Sequence, residues 1–392
     1  MSHVLTLNAG SSSLKFGLFT TDQTPVAVAT GLIDAIGGAT SFRLEDAEGT
    51  VLSAGDMSTR DGATHASALS AALTELLALF PNSDIRAVGH RVVHGGQHHA
   101  EPVVLDEAGI AGLEALTPFA PLHQPHNLAG IRAAQSAFGQ AVQIACFDTA
   151  FHRNHPFVND TFAIPRRFYD KGVRRYGFHG LSYDYISGEM ARIAPHLHAG
   201  RVVVAHLGNG ASMCGMLSGR SMASTMGFSA LDGLPMGTRS GQLDPGVMLY
   251  LLDQEGLSTS EVSDLLYKQS GLLGLSELSN DMRMLLTSDD AKAREAVEYF
   301  VFRIRRELGG LAAALQGLDA LVFTGGIGEN AREIRARVCA GMAWLGIELD
   351  EARNMANDTL ISSDFSRTRV MVVPTNEELV IARAAVHLMN RV

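Results

Sequence analysis

The sequence predicts an α/β protein of two domains, or one large one, with largely parallel or mixed sheets, on three observations. Apolar, strand-like segments alternate along the chain with segments whose apolar residues recur at helical spacing. The 392 residues suit two domains, or one large one, with ample core. A strand, a small polar turn and a second strand occur at 4–19 and again at 202–217, as if one architecture were used twice.

Taken in order, residues 4–19 read as a β-hairpin with its tip at 9–13. Strands follow at 26–34 and 40–44 around the Gly37-Gly38 turn. Leu69, Leu73, Leu76, Leu77 and Phe80 fall on one helical face, predicting a helix over 65–80 that ends at Pro81. The spacing then predicts a strand at 85–93, helices at 106–116 and 127–138, and a buried strand at 142–147 ending in Asp148. Residues 148–180 are rich in Phe, His, Pro and Arg with weak periodicity, which marks a domain junction. A second round opens with a strand at 201–207 and its hairpin partner at 213–217. Helices are expected at 245–255, 260–268 and 289–316, then a strand at 319–323, a glycine loop at 324–330 and a helix at 331–345. A strand at 369–373 and a helix at 377–390 close the chain. The expected division is 1–148 plus a C-terminal helix of about 378–392 as one domain, and 149–377 as the other.

Composition excludes several classes. A net charge of −10 argues against general nucleic-acid binding, so an anionic ligand must meet a local cluster of cations. Cys146, Cys214 and Cys339 are scattered and odd in number, so a disulfide framework is not expected and a reducing, cytoplasmic location is. Neither a signal peptide nor an apolar run of membrane-spanning length, about 20 residues, is evident, and no membrane partner is expected.

Chemistry concentrates in a few places. The tip at 9–13 offers small residues, backbone N–H groups and hydroxyls, with Lys15 just beyond, which suits a phosphate chain. It lacks the Walker pattern. The turn at 208–212 and the loop at 324–330 are two more Gly-rich approaches after strands. Arg91 lies inside a strand that otherwise reads as buried, and such a cation needs an anionic partner, either a ligand or a structural carboxylate. Arg239 and His179 are each set close between glycines. Asp148 ends a buried strand, where α/β sheets carry functional groups. Glu377 and Glu378, after a strand and at a helix start, suit Mg²⁺ binding or simple helix capping. Zinc spacings, a serine-hydrolase elbow and protein-kinase signatures are missing. The parts fit phosphoryl transfer, which asks for positioning and charge neutralisation.

These runs resemble the acetate kinases, with propionate and butyrate kinases as relatives. The match passes in order through 7–15, 89–96, 120–123, 147–152, 174–180, 206–210, 233–241, 324–330 and 375–379. The resemblance implies two related actin-like (ribonuclease H-like) domains around an interdomain nucleotide cleft, usually in a homodimer. It implies Mg²⁺, with Mn²⁺ as an alternative, held by Asn8 and Glu377, and ATP or ADP as co-substrate. Lys15 would contact the phosphates. His206, Leu207, Gly208, Asn209 and Gly210 would surround the nucleotide, with Asp281, Met282 and Arg283. So would Gly325, Gly326, Ile327, Gly328, Glu329 and Asn330. Arg91 would bind the acceptor carboxylate in a small pocket shaped by Val93, Leu122 and Pro235. Asp148, His179 and Arg239 would be the catalytic residues, the last two stabilising the transition state.

The implied activity is reversible transfer of the ATP γ-phosphoryl group to acetate. Propionate or a broader range of short-chain acids is the alternative within the class, and a non-catalytic ATP-binding scaffold is the alternative outside it. The chain departs from the family's usual motifs at Gln124, His126, Leu181, Tyr183, Ala223 and Gln242. Every proposed catalytic position is intact.

Overall fold

The computed structural model describes residues 1–392 except Ser11, Ser12, Thr59, Leu122 and Val392. The chain forms two compact units, Met1–Arg153 with Asn376–Val392, and Asn154–Thr375.

The first unit is built on an eight-stranded sheet. Its strands are β1 (Ser2–Ala9), β2 (Leu14–Thr20), β3 (Ala27–Asp34), β4 (Ser41–Asp46), β5 (Val51–Asp56), β6 (Asp84–Val92), β7 (Val103–Val104) and β8 (Val142–Phe147). They lie in the order β5-β4-β3-β2-β1-β6-β8-β7. β1, β2 and β3 pair antiparallel, whereas β1, β6 and β8 run parallel. Leu5, Leu7, Phe16 and Leu18 form a core with Leu69, Leu73 and Leu76 of the helix His65–Leu79, the face that the sequence periodicity marks.

The second unit carries a five-stranded sheet of β9 (Arg201–Leu207), β10 (Ala211–Leu217), β11 (Arg220–Ser224), β12 (Ala320–Thr324) and β13 (Arg369–Val372). Its order, β11-β10-β9-β12-β13, repeats the β3-β2-β1-β6-β8 portion of the first sheet. The directions repeat too, antiparallel on one side of the central strand and parallel on the other. The echo between 4–19 and 202–217 is therefore the same hairpin, β1–β2 and β9–β10, at the centre of two equivalent sheets. Behind the second sheet lies the helix Ala291–Ala314, which buries Ala293, Ala296, Val297, Phe300, Ile304, Leu308 and Leu311 at helical spacing.

Two expectations need correction. Residues 324–330 are not an open glycine loop, because Gly325–Asn330 closes into a short helix. The helix expected over 331–345 stops at Cys339: Ala340 is extended and Gly341 has φ +77°, and only a turn of 3₁₀ helix, Ala343–Leu345, resumes. β5 went unread because most of its residues are exposed and it lacks an apolar alternation. The other expected elements are present with ends shifted by a few residues.

One glycine shows how tightly the second unit holds its loops. Gly271 has φ +63°, and a Cβ there would lie 2.1 Å from the Met236 carbonyl oxygen and 2.7 Å from that of Arg239. An added methyl group thus meets backbone on a turn already left-handed. Gly271→Ala is expected to cost on the order of 3 kcal/mol or more, read as a fall in the denaturation midpoint, and to disturb the Arg239 segment as well. A midpoint unchanged from wild type would contradict this packing.

Candidate active site

The parallel register of the first sheet brings three polar residues to one edge. Leu7 pairs with His90 and Val92 with Phe147, so Asn8, Arg91 and Asp148 meet where β1, β6 and β8 end. Arg91 Nε donates to Asp148 Oδ1 at 2.9 Å and Nη2 donates to Oδ2 at 2.6 Å, a forked ion pair. The Asp148 side chain is only 2 % exposed and that of Arg91 18 %. Burial by itself would lower the Arg91 pKa, but Asp148, and behind it Glu377 and Glu378, raise it above its ordinary value. Arg91 is a permanent cation. Its Nη1 donates to Asn8 Oδ1 at 3.0 Å, which leaves one N–H on each terminal nitrogen for a ligand.

The network continues through Asn8. Its Nδ2 donates to Glu377 Oε2 at 3.1 Å and to Glu378 Oε1 at 3.3 Å. A flipped amide would set N–H against guanidinium and oxygen against carboxylate, so this orientation is the one the charges require. Both glutamates stand in the first turn of the helix Glu377–Met389, and Asn376 caps it by accepting from the Leu379 N–H. Gly89 lets this helix lie on β6, since a Cβ there would be 2.5 Å from Ile381 Cγ2. The sequence expectation paired Asn8 with Glu377, and they do meet. However, the Asn8 oxygen faces Arg91, and Glu378 is an equal partner.

The hairpin tip is braced from two sides. His65 Nε2 lies 2.8 Å from the Gly10 carbonyl oxygen, and its ring packs against that of His126 at 4.7 Å. Asn127 Nδ2 donates to the Ala9 carbonyl at 3.3 Å, and the Val93 N–H donates to Asn127 Oδ1 at 3.0 Å. Asn127 thus ties the tip to the segment carrying Val93. Sequence reasoning missed it, although an Asn on the apolar face of a helix was the available signal. Lys15 is exposed opposite Asn8 in the hairpin register. Val93 is buried. Leu122 lies outside the described residues, as do Ser11 and Ser12 of the tip.

In the second unit, His179 precedes the helix Gly180–Ile193 with a left-handed φ of 57°. A non-glycine residue held there stores strain of about 1–3 kcal/mol and marks a constrained position. Its ring stacks on that of His206 with centroids 4.4 Å apart. A Cβ built on Gly210 would lie 3.2 Å from His179 Nε2 and 4.0 Å from Arg239 Nη1, so the two side chains converge there. Arg239 Nη1 also donates to the Ala230 carbonyl at 3.1 Å. Pro235 is buried nearby in sequence.

His206 pairs with Thr324 across β9 and β12, which sets the turn at Gly208, Asn209 and Gly210 beside the helix Gly325–Asn330. The Gly237 N–H donates to the Asn209 carbonyl at 3.0 Å, and a Cβ on Gly237 would collide with Asn209 Oδ1. Glu329 turns inward, its Oε1 accepting from Gly325 N at 2.9 Å and Thr375 N at 3.2 Å. Asn330 Nδ2 donates to the Gly326 carbonyl at 2.9 Å. Asp281 caps the helix Met282–Thr287 and pairs with the exposed Arg283 guanidinium, whose hydrogen bonds hold the Asp281 carboxyl below its usual pKa. Asn280 Nδ2 reaches Asn209 Oδ1 at 3.4 Å, joining this segment to the turn.

Two departures from the family's motifs have a visible use. Gln242 Oε1 accepts from Arg303 Nη2 at 3.0 Å and from Arg306. Gln124 is fully buried and donates to the carbonyls of His94 and Leu113.

The edge of the first unit can hold a carboxylate against a fixed cation, and the turns of the second unit can present N–H donors and glycine backbone to phosphate oxygens. The sequence profile of the acetokinase family matches residues 3–383. An acetate kinase of Methylocella silvestris is 55% identical over 99% of this chain and 98% of its own length. One from Rhizobium meliloti is 50% identical over 100% and 99%. The solved structure of a propionate kinase from Francisella tularensis subsp. tularensis superposes with a TM-score of 0.90 at 37% identity, over 98% of this chain and 99% of that one. Porphyromonas gingivalis acetate kinase does so with a TM-score of 0.86 at 35% identity, over 99% and 100%. With its profile matched from near one end to near the other, the chain belongs to the acetokinase family.

Proposed function

We propose that the chain catalyses reversible transfer of the γ-phosphoryl group of ATP to acetate, giving acetyl phosphate and ADP. The observation that carries this reading is the full-length likeness to acetate kinases; the chemistry around Arg91 agrees with it. A carboxylic acid with a pKa of about 4–5 is already ionised at neutral pH, so the acceptor needs no general base. The obstacle is repulsion between two anions. Arg91, kept charged by Asp148, offers the acceptor carboxylate its two remaining N–H groups. Asp148 then serves as the group that holds this guanidinium in place.

The acceptor oxygen attacks the γ-phosphorus in line, the bond to the β-phosphate oxygen breaks, and ADP carries the electron pair away. Arg239 and His179 donate to the transferring oxygens, and Lys15 to the donor phosphates. The glycine backbone of 208–210 and 325–330 accepts the nucleotide. Glu377 and Glu378, drawn together on the Asn8 amide, are a hard-oxygen pair of the kind Mg²⁺ takes. Glu377 and Asn8, with Glu378 adjoining, are the residues that would hold it, although no group of three or more His, Cys, Asp or Glu clusters among the described residues. Mg²⁺ bound there would neutralise phosphate charge. The likeness to a propionate kinase favours propionate as a second acceptor. A homodimer in the cytoplasm completes the reading; no helix among the described residues is long and apolar enough to cross a membrane.

Trapping the product with hydroxylamine tests the assignment: ATP, Mg²⁺ and acetate should give acetohydroxamate, and parallel rates with propionate and butyrate rank the acceptors. Nucleotide binding without hydroxamate from any of the three would leave only the scaffold reading. Arg91→Ala and Arg239→Ala should each lower kcat/KM by about 10²–10³, the effect of removing one charge-stabilising donor. A folded variant with undiminished turnover would remove that residue from the mechanism. Lys15→Ala should raise the KM for ATP more than that for acetate, and the reverse pattern would refute its place on the donor.

A further inference from the structure

His179 has a second nitrogen whose surroundings the transfer chemistry does not use. Its Nδ1 lies 2.9 Å from Ser212 Oγ, and Ser212 Oγ lies 2.5 Å from Tyr183 Oη. Ser212 and Tyr183 are both fully buried. Ser212 sits on β10 opposite His206 in the β9–β10 register, and Tyr183 is one helical turn beyond His179. The stacked His206 ring has a matching arrangement, with Ser182 Oγ 2.8 Å from its Nδ1. Both imidazoles therefore turn Nδ1 toward a serine hydroxyl, and Nε2 of His179 toward Gly210 and Arg239.

We propose that Tyr183 and Ser212 form a hydroxyl relay that fixes the tautomer of His179, holding its proton on Nε2 as a donor to the transferring phosphoryl group. The proposal rests on the phosphotransfer reading for its purpose but not for its geometry. Ser212 is buried and its single hydroxyl proton has only these two partners among the described residues, so it is satisfied only if Ser212 donates to one and accepts from the other: either from Tyr183 through Ser212 into Nδ1, or in the reverse sense. Acid–base order selects the first. A phenol is the strongest donor of the three groups and a weak acceptor, because its oxygen lone pairs are shared with the ring, whereas imidazole nitrogen is the strongest acceptor. Burial raises the Tyr183 pKa well above its ordinary value, so the phenol keeps its proton.

The reverse sense would need a proton on Nδ1, and if Nε2 lost its own in exchange, a lone pair would face phosphate oxygens. Arg239, whose Nη1 converges with Nε2 at Gly210, opposes a positive charge on the ring, on which the His206 ring is stacked. Cys214, further along β10, is pushed up to about 12 by burial and stays a neutral thiol. The relay thus turns the imidazole proton outward, much as the third member of a catalytic triad orients the base. The phenol at position 183 is what gives the relay its direction.

The test uses full-length enzyme with ¹⁵N-labelled histidine, the His179 resonances being assigned by their loss in His179→Gln. At about pH 8, above the ordinary histidine range, wild type should show the Nε2–H tautomer. Ser212→Ala should move those resonances toward an average of the two tautomers and lower kcat about tenfold, with both KM values little changed. Ser212→Thr should restore both. Tyr183→Phe, which keeps the ring, gives the same readout in milder form should Ser212→Ala fold poorly. A proton on Nδ1 in wild type would overturn the relay, as would an unchanged kcat in a folded Ser212→Ala whose tautomer has shifted. The spectroscopic arm requires no turnover, so a wild type that made no acetohydroxamate would overturn the functional reading alone.

Discussion

The ion pair between Arg91 and Asp148 is the interaction on which the first unit's polar edge depends. A guanidinium four-fifths buried and a carboxylate almost wholly so are each costly to desolvate, and each is tolerable only because of the other. Removing either partner would leave an uncompensated charge at a cost of about 3–5 kcal/mol. Their mutual hold also fixes Asn8 through its oxygen, and Asn8 in turn draws Glu377 and Glu378 together through its nitrogen. The C-terminal helix is therefore joined electrostatically to strands more than 200 residues earlier in the chain. A single alternation of charge, from acid to cation to amide to acids, runs along one sheet edge. It keeps the cation permanently charged while leaving it two donors to spare.

Both sheets place their chemistry where parallel strands end. In the first, Asn8, Arg91 and Asp148 follow from the register of β1, β6 and β8; in the second, His206 and Gly325 follow from β9 and β12. Strand ends suit this because the next residues leave the ladder, so their side chains and N–H groups face outward from a rigid support. The repeated strand order supplies the same two positions twice and gives them different occupants. One unit carries carboxylates and a paired guanidinium, and the other carries imidazoles and glycine backbone.

What the sequence made legible divides along physical lines. Arg91 and Asp148 could be picked out because a cation inside an apolar strand, or an acid at the end of one, has no packing reason to be there, and Glu377 because it follows a strand at a helix start; Asn8 was singled out only by the resemblance. The hairpin echo was visible as alternation around a polar turn. Ser212 was not, since a serine beside a glycine turn reads as part of the turn, and its role depends on two residues about 30 positions away. β5 escaped because an exposed strand owes its existence to its neighbour rather than to its own pattern. The partition of the Asn8 amide between Arg91 and the two glutamates is a matter of distance and orientation that no spacing encodes.

The helix Gly325–Asn330 shows why the glycine segment misled. Gly326 and Gly328 within six residues should disfavour a helix by about 1 kcal/mol each, and on local propensity a loop was the sound expectation. Contacts remote in sequence reverse it. At one end the Glu329 carboxylate accepts from the Gly325 and Thr375 N–H groups. At the other end the fully buried Arg335 donates to the Gly328 and Glu329 carbonyls at 2.9 and 2.7 Å. The same guanidinium bonds Asn354 Oδ1 and Asn357 Oδ1. Burial, and secondarily Arg332, lowers the Arg335 pKa to about 10, which still leaves it charged at neutral pH. A cation at the C-terminal carbonyls also meets the negative end of the helix dipole. Glycine permits close approach to a backbone, and it weakens the helix in which it sits. Glu329 and Arg335 restore from outside the order that the glycines remove from within.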